Sequence, residues 1–211
     1  SRAFVDGLAS GTLRQEYRRR GYWAADLAFQ AAALNQGCDG VAVSVSAKEG
    51  AVYAFDHVEW SGTAGIPPAD LNKAFGIKTG DASGLMAVDA GVRAVHAAYD
   101  KIGYIMQEAT YTPVLDDAAH RMTLQMKVTE GQQFRMGTLT FPDLPPADAD
   151  RLIKKWKIAP GEIYDGSYLA SYTVGEVNPV KGRGSVPRDL RAEISVDRAK
   201  SLVHVRFVVP R

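Results

Sequence analysis

The chain has little of what catalytic and membrane-spanning proteins carry. It has one cysteine, Cys38, so no internal disulfide can form. Cys38 has no histidine or cysteine near it at metal-ligand spacing and is read as a turn residue. Its four histidines, His57, His96, His120 and His204, are scattered along the chain. None pairs with another at the spacing that zinc sites use. His57 is expected on a strand and His96 on a helix, each solvated or hydrogen-bonded. No apolar run approaches the ~18 residues of a membrane helix, and no signal peptide is visible. Charge of one sign is also missing. The 25 Lys+Arg against 24 Asp+Glu leave a formal net charge of +1, which is no footprint for nucleic acid. The hydrophobic content of 46 % fits a globular chain rather than a disordered one.

What the chain does have is a repeat at a lag of about 81 residues. Lys48-Glu49-Gly50 returns as Thr129-Glu130-Gly131, and Ile77-Lys78-Thr79-Gly80-Asp81 as Ile158-Ala159-Pro160-Gly161-Glu162. Pro67-Pro68-Ala69-Asp70 returns as Pro145-Pro146-Ala147-Asp148. Tyr17-Arg18-Arg19-Arg20-Gly21-Tyr22 returns as Tyr99-Asp100-Lys101-Ile102-Gly103-Tyr104. The repeat predicts one partial unit, 1–50, and two whole ones, 51–131 and 132–211. Units this small bury only a modest share of their surface, so neighbours are expected to pack on each other or to share short, stiff junctions. The chain opens at Ser1-Arg2-Ala3-Phe4 inside an expected helix, and is therefore read as a fragment.

The middle unit defines the pattern. Val52–Trp60 reads as a strand that slips near Asp56-His57, and Pro68–Phe75 as a short helix with proline in its first turn. Asp81 or Ser83 is expected to cap a longer helix. Its apolar stripe is Leu85, Val88, Val92, Val95 and Tyr99, and Gly103 ends it. Ile105–Tyr111 reads as a strand and Pro113–Ala119 as the hairpin connection. Met122, Leu124, Met126 and Val128 alternate as a half-buried strand. The unit is strand–helix–helix–strand–strand.

The first unit keeps only a helix bearing Phe4, Leu8, Leu13 and Tyr17, and a hairpin of Trp23–Ala33 with Gly40–Ala47 across Asp39-Gly40. In the third unit Phe134, Met136, Leu139 and Phe141 copy the first strand, and Asp148–Trp156 the short helix. Its long helix, begun by Tyr168, Leu169 and Tyr172, is stopped early by Gly175, Asn178 and Pro179. Leu190–Val196 and Val203–Val209 are its last two strands.

Units of about 80 residues that end in a Glu-Gly step, with long helices finishing in Tyr-x-x-x-Gly-Tyr, resemble the POTRA domains of the BamA and TamA-like outer-membrane assembly family (surface antigen D15-like). Val128–Phe134, Gly76–Asp81 and Tyr99–Tyr104 carry the resemblance most clearly. The third unit departs from it, with Ser185-Val186-Pro187 where Gly-Tyr would stand. The resemblance implies an α+β fold of tandem modules, each a three-stranded sheet covered by two helices. It implies a non-enzymatic, periplasmic scaffold of an outer-membrane protein, with no cofactor and no small-molecule substrate. The implied partners are unfolded outer-membrane protein clients and assembly-machine proteins, with a covalently linked membrane β-barrel outside this stretch. A dedicated secretion transporter, or a structural interaction module without a barrel, are the alternatives.

In the resembled family the second strand of a module accepts a client or partner strand. Carried over, this points to Ile105, Met106, Gln107, Glu108, Ala109, Thr110 and Tyr111. In the third unit it points to Leu190, Arg191, Ala192, Glu193, Ile194, Ser195 and Val196. Such an edge is a row of unpaired N–H and C=O groups to which an extended segment can add as a strand. Other candidate chemistry is set aside. Asp116-Asp117 fits turn chemistry better than acid–base work. Lys181-Gly182-Arg183-Gly184 lacks the end and the context of a phosphate loop. Arg18-Arg19-Arg20 suits a solvated helix end, and Trp23, Trp60 and Trp156 suit packing. Tyr22 and Tyr104 are expected to anchor strand starts, and Glu49 and Glu130 to sit at module junctions.

Overall fold

The computed structural model describes residues 8–33 and 41–210. Phe4, Cys38 and the Asp39-Gly40 turn lie outside the described residues. By its contacts the chain divides into two compact units. The first comprises Ser1–Ser61, Pro68–Ala94 and Thr110–Lys127; the second comprises Gly62–Pro67, Val95–Ala109 and Val128–Arg211.

Among the described residues three sheets are formed. The first is a hairpin of β1 (Asp26–Ala33) and β2 (Val41–Lys48), preceded by a π-helical turn at Leu8–Leu13 and by helix α1 (Arg14–Arg19). The second has β3 (Ala54–Ser61), then α2 (Pro68–Phe75) and α3 (Leu85–Lys101), then β4 (Glu108–Asp116) and β5 (Arg121–Thr129), in the order β3-β5-β4. The third has β6 (Arg135–Thr140), α4 (Pro146–Ile153), α5 (Tyr168–Tyr172), β7 (Arg191–Asp197) and β8 (Leu202–Val208), in the order β6-β8-β7. In both three-stranded sheets the first strand runs parallel to the last and slips in register, between Phe55 and Val58 and between Met136 and Leu139.

The local chemistry explains the elements. Met122, Leu124, Met126 and Val128 alternate on β5 and are all buried, as a strand central to its sheet requires. Pro68 opens α2, where a missing N–H costs nothing, and Leu71 and Phe75, one turn apart, carry its buried face. Helix α3 buries Val88, Gly91, Val95 and Tyr99. Val92 is only half-buried and gives way to Gly91, where a Cβ would lie 2.5 Å from the Phe75 ring. Neither expected cap serves α3. The Asp81 carboxylate accepts the Lys78 N–H (2.9 Å) in the preceding turn, and Ser83 Oγ donates to the Tyr53 carbonyl (2.5 Å). The Gly84 carbonyl instead receives the Ala87 and Val88 N–H groups.

The repeat is visible bond by bond. In the first unit Phe55 N–H donates to Asp81 O (2.9 Å) and Gly80 N–H to Phe55 O (2.8 Å). In the second unit Met136 N–H donates to Glu162 O (2.8 Å) and Gly161 N–H to Met136 O (2.7 Å). The Lys78–Asp81 turn bond likewise has its copy in Ala159 N–H to Glu162 Oε2 (2.8 Å). Each bond in the second unit is its counterpart shifted by the same 81 residues.

Several boundaries differ from the sequence reading. The edge strand of the middle sheet begins at Glu108, so Ile105, Met106 and Gln107 precede it, and Gln107 is buried. The strand continues through Pro113 to Asp116 rather than turning there; an edge strand tolerates a residue with no N–H to give. The turn is Asp117–His120, where the Asp116 carboxylate accepts the Ala118 and Ala119 N–H groups. Trp23 to Ala25 precede β1, and the short helix of the third sheet ends at Ile153, before Trp156. After the short α5 the chain makes a π-helical turn (Thr173–Val177) and a 3-10 turn (Asn178–Val180) that bury Val177. The core of the second unit gathers Phe134, Met136, Phe141, Leu152, Tyr164, Tyr172, Leu190, Val203, Val205 and Phe207.

Gly62 and Gly131 both hold positive φ, but only at Gly62 would a Cβ collide with backbone, at the Val128 carbonyl. Gly131→Ala is expected to cost the ordinary left-handed strain of about 1–2 kcal/mol. Gly62→Ala is expected to cost clearly more. Chemical denaturation of the two variants side by side checks the difference.

Candidate partner-binding edges and module junctions

In the middle sheet β4 is an edge. Its residues alternate between exposed and half-buried, with Glu108, Thr110, Thr112, Val114 and Asp116 outward. Pro113 removes one main-chain donor from it. In the third sheet β7 is an edge, with no proline. Cross-strand register places Ala192, Ile194 and Val196 opposite Phe207, Val205 and Val203, three fully buried residues. Directly opposed residues share a face of the sheet, so Ile194 and Val196 point to the core side. Even so, Ile194 is 53 % and Val196 36 % exposed. Where α3 is 17 residues of regular α-helix, the third sheet has the five-residue α5 continued by π-helical and 3-10 turns to Val180. Of the sequence-predicted site residues, Glu108 to Tyr111 and Arg191 to Val196 thus lie on edge strands. Leu190 precedes β7 and is fully buried in the core.

The junctions hold chemistry that periodicity did not reveal. In the second unit Glu130 Oε1 accepts three hydrogen bonds: from Ala64 N–H (2.7 Å), Gly65 N–H (2.8 Å) and the Tyr99 hydroxyl (2.8 Å). Tyr99 is fully buried, and its ring meets Tyr104 edge-on at 6.0 Å. Burial first, and then the Glu130 carboxylate, push the Tyr99 phenol well above its ordinary pKa. Gly103, at φ +85°, turns its carbonyl to accept the Phe134 N–H (2.8 Å), and Gln133 Nε2 donates to Ile102 O (2.8 Å). Gly166 N–H donates to Asp100 O (2.9 Å). Burial, with Asp165 nearby, raises the Asp100 carboxyl, while His96 acts against the rise. His96 itself contacts the buried Gln107 side chain.

The first unit has a junction of the same kind. Gly21, at φ +88°, accepts the Tyr53 N–H (3.3 Å), and the Tyr17 and Tyr22 rings meet edge-on. Trp23 Nε1 donates to Ser83 O (2.6 Å), and the Arg18 guanidinium lies 5.8 Å from the Trp23 ring centre. Arg19 and Arg20 pair with Glu16. The repeated Glu-Gly step was the one signal for Glu130; the sequence marked Ser83 only as a helix cap, not as the partner of Tyr53 and Trp23. Among the described residues no group of His, Cys, Asp and Glu could hold a metal ion, and no helix is long and apolar enough to cross a membrane.

The profile of the POTRA family, described as surface antigen variable number repeat, matches residues 53–131. The chain contains a POTRA domain. The crystal structure of Haemophilus influenzae BamA POTRA3-5 aligns over 99 % of this chain and 80 % of its own, at a TM-score of 0.63 and 20 % identity. BamA from Haemophilus ducreyi lacking POTRA domains 1-3 aligns over 75 % of this chain and 30 % of its own, at a TM-score of 0.60 and 11 % identity. No curated protein matches the sequence. At these identities the likeness is one of fold: the α+β architecture with three-stranded sheets is that of POTRA structures.

Glu130→Ala removes the shared acceptor from three donors at the end of the POTRA domain. A loss of about 1–3 kcal/mol is expected, and a double-mutant cycle with Tyr99→Phe should show coupling between the two sites. The raised Tyr99 phenol adds a pH dependence. Its folded pKa lies above its unfolded one, so its contribution is complete below pH ~10 and lost progressively as pH rises from about 10 through the higher folded value. Alkaline denaturation curves should be shallower for Tyr99→Phe than for the parent.

Proposed function

We propose that this chain is a periplasmic scaffold of an outer-membrane protein assembly or transport factor, and that its modules hold extended client or partner segments by strand addition. The single observation that carries the reading is an open second-strand edge, β4 or β7, in each three-stranded sheet of a POTRA-like fold. Main-chain bonds along such an edge contribute about 0.5–1.5 kcal/mol each, so a few of them give weak, reversible contact with little sequence preference. That suits a scaffold that handles many unfolded barrel proteins. The reading needs no catalytic residue and no cofactor, and it expects a membrane β-barrel linked to these modules.

The two edges differ in quality. Pro113 interrupts the donor row of β4, whereas β7 has an uninterrupted backbone and two exposed aliphatic side chains, Ile194 and Val196, for an added strand to cover. β7 is therefore the stronger acceptor. Titration with peptides from outer-membrane proteins should shift amide resonances along 191–196 more than along 108–111. Ile194→Pro, which places a proline in β7 where β4 has Pro113 at the 81-residue lag, should weaken the shifts. Absence of any shift along both strands would count against strand addition.

A further inference from the structure

The two copies of the helix-end junction carry different chemistry at the same places. Aligned on the Tyr-x-x-x-Gly-Tyr step, Arg14 and Arg18 of the first copy correspond to His96 and Asp100 of the second. In both copies a glycine packs against the end of the helix. At Gly84 a Cβ would lie 2.5 Å from the Arg19 carbonyl oxygen. At Gly166 it would meet Ile105 Cγ2 at 2.9 Å and Asp100 Cβ at 3.4 Å.

The first copy is built on fixed charge, since arginine keeps its proton in proteins. Arg14 and Arg18 are half-buried. Burial raises the Tyr111 phenol, Asp89 adds to the rise and Arg18 opposes it, so a permanent cation stands near this carboxylate. The second copy is built on groups that titrate. Asp100 is half-buried on α3, and the charges that act on it are His96, four residues back, and Asp165 on the facing segment. Lys101 beside it is exposed. Asp165 is held in place by Ser167, whose N–H (2.9 Å) and hydroxyl (2.6 Å) both donate to its Oδ1. The buried Tyr164 phenol is pushed up to about 12, by burial first and then by Asp165 and Asp100, and keeps its proton at neutral pH. His96 touches the Gln107 side chain, whose Oε1 is buried with no partner among the described residues. A protonated imidazole has a donor to give that oxygen.

We propose that the contact between the end of α3 and the 164–167 segment is a pH-sensitive latch. It is closed while His96 or Asp100 carries a proton. It loosens when Asp100 and Asp165 are both ionised beside a neutral His96, because like charges in a part-buried place repel. The direction follows from Asp100. Burial above all, opposed by His96 and helped by Asp165, holds its carboxyl above the ordinary value. A carboxyl raised in the folded state costs stability once it ionises, so the contact is firmest in acid and weakens as pH rises through the folded value. The latch is independent of strand addition at β4 and β7.

The test is nuclear magnetic resonance of the whole chain from about pH 4 to about pH 8, the span in which carboxyl and imidazole groups change charge. The Gly166 amide, which donates to the Asp100 carbonyl, should titrate. Its exchange with solvent, corrected for the intrinsic rate, should be several-fold faster at the upper end. The Trp23 indole N–H, held by the Ser83 carbonyl in the first copy, should do neither. Asp100→Asn, which cannot ionise, should flatten the Gly166 curve. His96→Gln, which removes the opposing charge, should move its midpoint to higher pH, an effect that a purely structural role would not produce. The proposal is overturned if the Gly166 amide does not titrate, if its exchange does not quicken, if Asp100→Asn leaves the curve unchanged, if the midpoint in His96→Gln does not rise, or if the Trp23 signal follows the same curve.

Discussion

One hydrogen bond sets the geometry on which each module depends: the N–H of the residue three places after a Glu-Gly step donates to the carbonyl of a helix-ending glycine. At Gly103 that glycine sits at φ +85°, a conformation that side chains with a Cβ adopt only at a cost. A Cβ there would also lie 2.6 Å from the Phe134 carbonyl oxygen. The bond therefore requires glycine twice, once for its dihedral and once for its lack of bulk. It fixes where β6 starts, and with it which residues of that strand face the core. Phe134 and Met136 are buried because the strand enters in this register; a slip of one residue would turn both outward. Glu130 supports the arrangement from the preceding turn by gathering two N–H groups of the 62–67 loop and a tyrosine hydroxyl on one oxygen. The same bond between Gly21 and Tyr53 in the first unit shows that the device belongs to the repeat and not to one sequence.

With the first strand fixed in parallel to the last, the second strand is left at the edge. This follows from topology: the hairpin places the second strand on the free side of the central strand, and the helices cover a face, not an edge. An edge of that kind is a hazard in a soluble domain, and the two copies manage it differently. β4 carries Pro113, and its outward residues are polar except Val114. β7 keeps an unbroken backbone and exposes aliphatic side chains on its inner face.

Much of this was legible in the sequence because it is written as periodicity. The repeat lag, the slip near Asp56-His57, the alternation on β5 and the span of Pro68–Phe75 depend on local pattern, and the structure reproduces them. What escaped reading depends on partners distant in the chain. Ser83 looks like a helix cap until the Tyr53 carbonyl, 30 residues away, is seen to claim its hydroxyl. Ile105 to Gln107 look like strand because they continue a run of β-formers, yet Tyr104 to Gln107 form a turn closed by a backbone bond, and the strand can start only after it. Pro113 reads as a breaker in isolation but is harmless on an edge. For the candidate binding edges, sequence supplied the strands but began them early, by three residues at β4 and by one at β7, where Leu190 serves the core.

The differences between copies carry more functional information than their likeness. Backbone bonds recur at a constant shift, so the scaffold is under one physical constraint throughout. The side chains that line its openings are free of that constraint, and in the third sheet they change in one direction. The long regular helix becomes a short α-helix continued by π and 3-10 turns, Ile194 and Val196 stay exposed, and the opening beside β6 has Gly137, Ile153, Ala159 and Pro160 where the first copy has Asp56, Asn72, Lys78 and Thr79. Random drift on a solvated surface would favour polar residues at such positions, because exposing apolar area to water is unfavourable. Both changes nevertheless make the third copy more apolar at these places than the middle one. The repeat keeps the frame, and the side chains free of that constraint are what set the two copies apart.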